Sequence, residues 1–249
     1  MKLLVIVLCL LSERFLVHAS SHNRFHWFST YCNNMQQGLS KKLSLSNPWL
    51  VFIMILLPLL LAASLVFCFF GDFLFGFVGL LLNIVIFYYC IGPGNPFYPV
   101  HTQAAEQNNS DAGGYLAQVN GQLFAVVFWY IATGPLGLLV YRMVSLCQKQ
   151  ALVSQQASWL TGLLDWLPAR MTSLLYLLVG NFQSGLQHFS RLFFTSPENN
   201  YTMLTVCGLH AARHDEQEQV PLPQAERLVE HAIIVFLVLI ALFTMVAWL

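Results

Sequence analysis

Two pairs of opposite charges stand beside apolar runs in this 249-residue chain. Glu13-Arg14 closes the run MKLLVIVLCLL, and Asp165 with Arg170 interrupts the apolar stretch from Trp159 to Gly180. Ionisable groups close to hydrocarbon are costly unless they are paired or wet. Each pair can therefore neutralise itself locally, or the pairs can line a polar cavity that takes a ligand.

Other chemistry-bearing residues are weaker candidates. His18, His22 and His26 recur every four residues and would share one face of a helix. Ser20, Ser21 and Asn23 argue against a helix there, and no carboxylate follows at ligand spacing, so a histidine-rich loop at a membrane interface is expected. His210 and His214 have the same weakness. Cys9, Cys32, Cys68, Cys90, Cys147 and Cys207 contain no C-x-x-C pair, so they read as small buried hydrophobes and not as a disulfide framework or zinc site. There is no phosphate-binding G-x-x-x-x-G-K-[ST], no G-x-S-x-G and no H-E-x-x-H. Gly76-x-x-Gly79 and Gly134-x-x-Gly137 read as close helix contacts. No catalytic residue, cofactor or metal is expected.

The elements that must position these residues follow from composition. The chain is 57% hydrophobic and 9% charged, with 20 phenylalanines and a formal net charge of zero. Soluble domains carry about 25% charged residues. So few charges cannot cover a soluble protein of this size, and the balanced charge offers no field for nucleic acid. The composition is that of an integral membrane protein, and the lipid bilayer is its first partner.

A spanning helix needs about 20 mostly apolar residues. Trp49 to Phe70 meets this, Gly71-Asp72 breaks it, and Phe73 to Ile91 returns, which predicts a helical hairpin with a kink at Pro58. Leu123 to Tyr141 is a third span, bent at Gly134-Pro135, and Ala232 to Leu249 is a fourth. Lys2 to Val17 reads as a further membrane helix, although Val17-His18-Ala19 would also pass as a signal-peptide cleavage site. Residues 159–180 carry leucines at helical spacing around Asp165, Pro168 and Arg170, which predicts a re-entrant or interfacial amphipathic helix. The fold class expected is all-α, with about four to five transmembrane helices in a single domain over residues 1–249. Residues 18–48, 92–121 and 181–230 read as polar loops, with Val220-Pro221-Leu222-Pro223 extended. The basic residues of 18–48 favour the cytoplasmic side, but charge alone leaves the orientation open.

Several of these segments resemble a known superfamily. Leu164-Asp165-Trp166-Leu167-Pro168-Ala169-Arg170-Met171-Thr172 is similar to the D-x-x-P-A-R-x-T segment of the CobD/CbiB membrane proteins. Phe128-Trp129-Tyr130, Gly134-Pro135-Leu136-Gly137 and Tyr141-Arg142 resemble its F-W…G-x-x-G…Y-[KR] helix, and Glu13 with Arg24-x-His26 resembles its first helix and following loop. Within the superfamily, an early Glu-Arg, a D-W-x-P-x-R segment and a final C-terminal span resemble the AmpE family.

The resemblance implies a multi-pass protein of the bacterial inner membrane, associated with cell-wall status and β-lactamase induction. It implies a cell-wall recycling protein or a muropeptide-like ligand as partner. It also marks Glu13, Arg14, His26, Asp165 and Arg170 as a polar cluster near the membrane interface. The superfamily's enzyme branch, which makes an amide-type linkage in cobalamin assembly, carries E-N-x-x-D-G before the F-W helix. Here that stretch is Ala117-Gln118-Val119-Asn120-Gly121-Gln122, and the branch's N-x-L-D-S and G-R-D-T segments are also replaced. The missing carboxylates argue against ligase activity and leave a regulatory or sensory role. Cobinamide-phosphate synthase activity and transport of a muropeptide-like ligand are the alternatives, and no internal repeat supports a transporter.

Overall fold

The computed structural model describes residues 2–15, 25–42, 47–70, 76–91, 112–213 and 220–246, with the backbone alone at 14–15 and 36–42. Among these residues the secondary structure is helical throughout. The first helices are α1 (Lys2–Phe15), α2 (His26–Lys42), α3 (Pro48–Phe70) and α4 (Phe77–Cys90). Next come α5 (Ala112–Val119), a π-helical turn (Asn120–Phe124) and α6 (Ala125–Cys147). The chain continues through α7 (Ser154–Leu164), α8 (Trp166–Val179), α9 (Phe182–Leu192), α10 (Asn200–Ala212) and α11 (Leu222–Val246). Three runs are long and apolar enough to cross a membrane: Pro48–Phe70, Ala112–Cys147 and Leu222–Val246.

The chain forms two compact units, one of residues 1–94 and 126–164, the other of residues 95–125 and 165–249. In the first unit, α3 starts on Asn47-Pro48. The Asn47 side chain accepts a hydrogen bond from the Trp49 backbone N–H at 3.1 Å, and proline at the first helical position gives up an N–H that has no helical partner anyway. The helix runs on through Pro58. It buries Phe52, Ile55 and Leu56 while Leu57, Leu61 and Leu65 stay exposed, the pattern of a helix with one face on protein and the rest on lipid. The second arm of the expected hairpin contains α4. Its 14 residues span about 21 Å, less than the hydrocarbon thickness of about 30 Å. The break at Gly71-Asp72 lies outside the described residues.

In α6 the expected bend is present. Gly134 takes φ 82° and ψ −167°, a conformation open to glycine, and Pro135 supplies no N–H, so the helix is interrupted there. On either side of the break, the Trp129 and Tyr141 rings stack at 6.5 Å. Tyr130 donates to Asn83 Oδ1 at 3.0 Å, and Asn83 donates to the Gly79 carbonyl at 2.7 Å, which ties α6 to α4. Gly79 is buried at this contact, as the small-residue spacing suggests.

The second unit packs α8 against α5, α10 and α11. The Tyr176 hydroxyl of α8 donates to the Leu116 carbonyl of α5 at 3.0 Å. Gly208 of α10 faces both residues: a Cβ there would lie 2.8 Å from Leu116 and 3.3 Å from Tyr176. At the far end of α8, the Asn181 N–H donates to the Ala211 carbonyl at 2.9 Å. A Cβ on Gly180 would come within 2.1 Å of that same oxygen, so only glycine allows the approach.

Several expectations change along the chain. Residues 159–180 form two helices, α7 and α8, which meet at Asp165. The polar stretch 181–230 carries α9, α10 and the start of α11. Val220–Pro223 is not extended throughout, because Leu222 and Pro223 already belong to the first turn of α11, where proline costs no hydrogen bond. The last helix therefore begins at Leu222 and not at Ala232. Its buried residues Ala225, Leu228, Val229, Ala232, Ile233 and Phe236 recur at helical spacing across the polar segment and into the apolar one. Similarly, α2 and α5 lie in stretches whose polarity reads as loop.

Candidate functional site

The D-W-L-P-A-R segment opens α8. The Ala169 N–H bonds back to the Asp165 carbonyl at 2.8 Å, and Pro168 sits within the first turn. This start turns Arg170 into the second unit, where it is 2% exposed. Arg170 Nε donates to the Phe193 carbonyl at 2.9 Å and Nη2 donates to the Thr195 carbonyl at 3.0 Å. Nη1 donates to the Trp166 carbonyl at 2.8 Å and to Asn200 Oδ1 at 2.5 Å. The guanidinium also lies 4.2 Å from the Trp166 ring centroid, and Trp166 Nε1 donates to the Thr195 carbonyl at 3.1 Å.

A planar fork suits this geometry, since it reaches several carbonyls at once. The carbonyls beyond the end of α9 have no helical partner of their own, and a buried cation at a helix C-terminus also meets the favourable end of its dipole. Arg170 is thus a staple that closes α9 back onto α8 and α10.

About half a turn further along α8, Thr172 donates to Asn120 Oδ1 at 2.8 Å. Asn120 is the first residue of the π-helical turn, and both side chains are buried. The neighbouring Ser173 hydroxyl is fully buried and has no hydrogen-bond partner among the described residues. Tyr176 follows one turn after Thr172, bonded to Leu116 and edge-on to Phe124 at 5.8 Å. A polar seam of Asn120, Thr172, Ser173 and Tyr176 therefore runs between α5, the π-helical turn and α8. Beside it, Glu226 and Glu230 of α11 lie within electrostatic reach of Tyr115 on α5.

Asp165 and Arg170 both belong to the second unit, and Asp165 is half-buried at the junction of α7 and α8. Glu13 and His26 belong to the first unit. Glu13 is buried on α1, whereas His26 is exposed at the start of α2. Arg14 lies on α1, and its side chain is outside the described residues, as are His18, His22 and His214.

The expected five-residue cluster includes Arg170 but not its partner Asn200, nor the buried Asn120–Thr172 pair. Asn120 was legible as the position where the enzyme branch has a motif, but nothing in the sequence paired it with Thr172. Asn200 had no signal at all. His188 stacks on His210 at 4.3 Å, a partner that the His210-x-x-x-His214 spacing did not suggest. Arg142 is buried in the first unit, where its Nε donates to the Cys90 carbonyl at 2.6 Å.

All six cysteines are free. Five are buried, but Cys68 on α3 is exposed, so the reading of all six as buried hydrophobes fails at that position. Cys207 on α10 is the clearest buried thiol outside the long apolar runs, and burial pushes its pKa up to about 11. Among the described residues no three His, Cys, Asp or Glu side chains are grouped to hold a metal ion.

The seam is made of neutral side chains, bonded to each other at Thr172–Asn120 and to backbone at Tyr176–Leu116, with Arg170 committed to three backbone carbonyls and the Asn200 amide. Such an arrangement holds helices in register.

Comparison with known proteins gives one result for this segment. A family model described as regulatory signalling modulator protein AmpE matches residues 114–249. That span takes in Asn120, Asp165, Arg170, Thr172 and Asn200. No curated protein and no solved structure matches the chain.

Proposed function

The chain belongs to the AmpE family of regulatory signalling modulator proteins, and on that footing we propose that it is a multi-pass inner-membrane protein that couples cell-wall status to β-lactamase induction. The observation that carries this reading is the family match itself, which covers the segment holding the Arg170 staple and the Asn120–Thr172 bond. Both features are ones that position helices. A regulatory protein needs two packings of its helices and a contact that distinguishes them. The seam supplies polar contacts of that kind, and its π-helical turn is a departure from regular helix that is frequent at functional sites.

In this proposal the chain does not catalyse a reaction. It belongs to the wider CobD/CbiB superfamily, with Asp165, Arg170 and Thr172 lying on a segment that resembles it. Helices α1 and α4 join the three long apolar runs in the bilayer, and α8, interrupted at its start by Asp165, Pro168 and Arg170, is the re-entrant element. The partner is a cell-wall recycling protein or a muropeptide-like ligand.

The test is β-lactamase activity after challenge with an inducing β-lactam, in cells with and without the gene. An altered induction curve supports the reading. Unaltered induction, or rescue of a cobinamide-phosphate synthase mutant by this chain, would overturn it.

A further inference from the structure

Helix α9 divides into three faces. Successive side chains of its sequence FQSGLQHFSRL point about 100° apart around the axis. One face meets the protein. The Ser184 hydroxyl donates to the His210 carbonyl at 2.9 Å, the His188 ring stacks on that of His210, and a Cβ on Gly185 would run into Leu177 of α8. A second face carries Phe182, Leu186 and Phe189, continued by Phe193 at the end of the helix. Their spacing of four, three and four residues aligns them in one row, about 120° round from the face that meets the protein. Phe182 and Leu186 are each 41% exposed. The third face holds Gln183, Gln187, Ser190 and Arg191, all exposed.

A helix between a protein core and water needs only an apolar face turned inward and a polar face turned outward. In α9 the inward face is made by Ser184, Gly185 and His188, and the apolar row is turned aside from it. Three observations say what covers that row. First, the row continues onto α8, where Leu174 and Leu178 are exposed just before the turn into α9. Second, α8 packs against α11, which is long and apolar enough to cross a membrane and exposes Ile234 and Val238. The apolar row thus belongs to a unit that is itself set in lipid. Third, the single formal charge on α9 is Arg191, on the polar face. An apolar row rich in Phe and Leu beside a polar face with a basic residue is the pattern of a helix lying in the plane of a phospholipid surface. At eleven residues α9 is about 16 Å long, too short to cross about 30 Å of hydrocarbon.

We propose that α9 is an in-plane helix of the membrane–water boundary. Phe182, Leu186, Phe189 and Phe193 enter the acyl chains of one leaflet, and Gln183, Gln187, Ser190 and Arg191 turn to headgroups and water. The Arg170 staple, which holds the Phe193 carbonyl at the end of α9, is thereby placed at the same boundary. This placement stands whether or not the signalling role holds.

The test uses the full chain reconstituted in vesicles of phosphatidylethanolamine and phosphatidylglycerol. Phe182→Cys, Leu186→Cys, Gln183→Cys and Gln187→Cys are each made with Cys68→Ser, which removes the exposed thiol, and are spin-labelled. Electron paramagnetic resonance then reads collisions with oxygen, which concentrates in hydrocarbon, and with a nickel chelate, which stays in water. Labels at 182 and 186 should favour oxygen and report a depth of about 5–10 Å into the boundary, whereas labels at 183 and 187 should favour nickel. In the wild-type protein, phosphatidylglycerol with a photoreactive acyl chain should cross-link to Phe182, Leu186 or Phe189. The same oxygen-to-nickel ratio at all four positions would overturn the proposal. So would labels at 182 and 186 shielded from both reagents, as a protein partner or a second copy would shield them, or acyl-chain cross-links that miss α9. Val238→Cys on the exposed side of α11 is the control: oxygen access there separates failure of this proposal from failure of the chain to enter the bilayer.

Discussion

Thr172 donates its hydroxyl proton to Asn120 Oδ1 at 2.8 Å, and the two side chains are 1% and 2% exposed. The bond joins the π-helical turn to α8 at a depth where water cannot replace either partner. Removing one partner of a buried pair leaves the other unsatisfied, a loss of about 1–3 kcal/mol. Thr172→Val keeps the shape and removes the donor, so it should lower stability by about that amount. Asn120→Ala should do the same, and the double variant should lose less than the sum of the two. Thermal unfolding of the four proteins in one detergent checks this, and additive losses would show that the bond carries no coupling.

Arg170 contributes in a different way, through four hydrogen bonds to three carbonyls and one amide. A lysine keeps the charge but loses the planar fork. Arg170→Lys should therefore destabilise the second unit by about 3 kcal/mol. The chain around Phe193 and Thr195 should loosen first, since those carbonyls lose their donors. Limited proteolysis followed by mass mapping is the check: cleavage should rise near Phe194, which is already 87% exposed.

Gly180 is fixed by the approach of another backbone. An added Cβ would lie 2.1 Å from the Ala211 carbonyl oxygen and 2.7 Å from its carbon, and a backbone has little room to move. Gly180→Ala should cost about 1–3 kcal/mol. It should also weaken the bond from the Asn181 N–H to Ala211, which hydrogen exchange at that amide would report.

Cys207 offers a pH test. The thiolate is the species that reacts with maleimides, and burial raises the Cys207 pKa from 9.0 to about 11. The folded thiol stays protonated between pH 7 and pH 9, where an ordinary cysteine gains thiolate steadily. Labelling of Cys207 in the folded protein should run about a hundred-fold below that of an ordinary cysteine across that window, then rise to the ordinary rate on unfolding. Labelling at the rate of an ordinary cysteine between pH 7 and pH 9 without unfolding would show that Cys207 is neither buried nor shifted.

The sequence made the long apolar helices plain because an uninterrupted apolar run has a single physical explanation. Trp49 to Phe70 is the clearest, and α3 spans Pro48–Phe70. Gly134-Pro135 was equally legible, since it sets a free φ beside a missing N–H within an apolar run. The start of α11 was harder to see. Its first ten residues include Gln224, Glu226, Arg227 and Glu230, which dilute hydropathy even though Ala225, Leu228 and Val229 keep helical spacing. Helices α9 and α10 were hidden for the same reason. At the candidate site, the motif around Asp165 and Arg170 stood out, but the partners did not. Arg170 binds backbone carbonyls of Phe193 and Thr195, and a carbonyl has no sequence signature. Asn120 and Asn200 were unremarkable as residue types, and only the fold brings them to Thr172 and Arg170.

The regulatory reading meets its most direct test in β-lactamase induction by a strain lacking the gene, complemented with wild type or with Thr172→Val. Loss of the gene should alter the induction curve, wild type should restore it, and Thr172→Val should restore it incompletely while reaching the membrane at a comparable level. An identical induction curve with and without the gene would contradict the regulatory role outright.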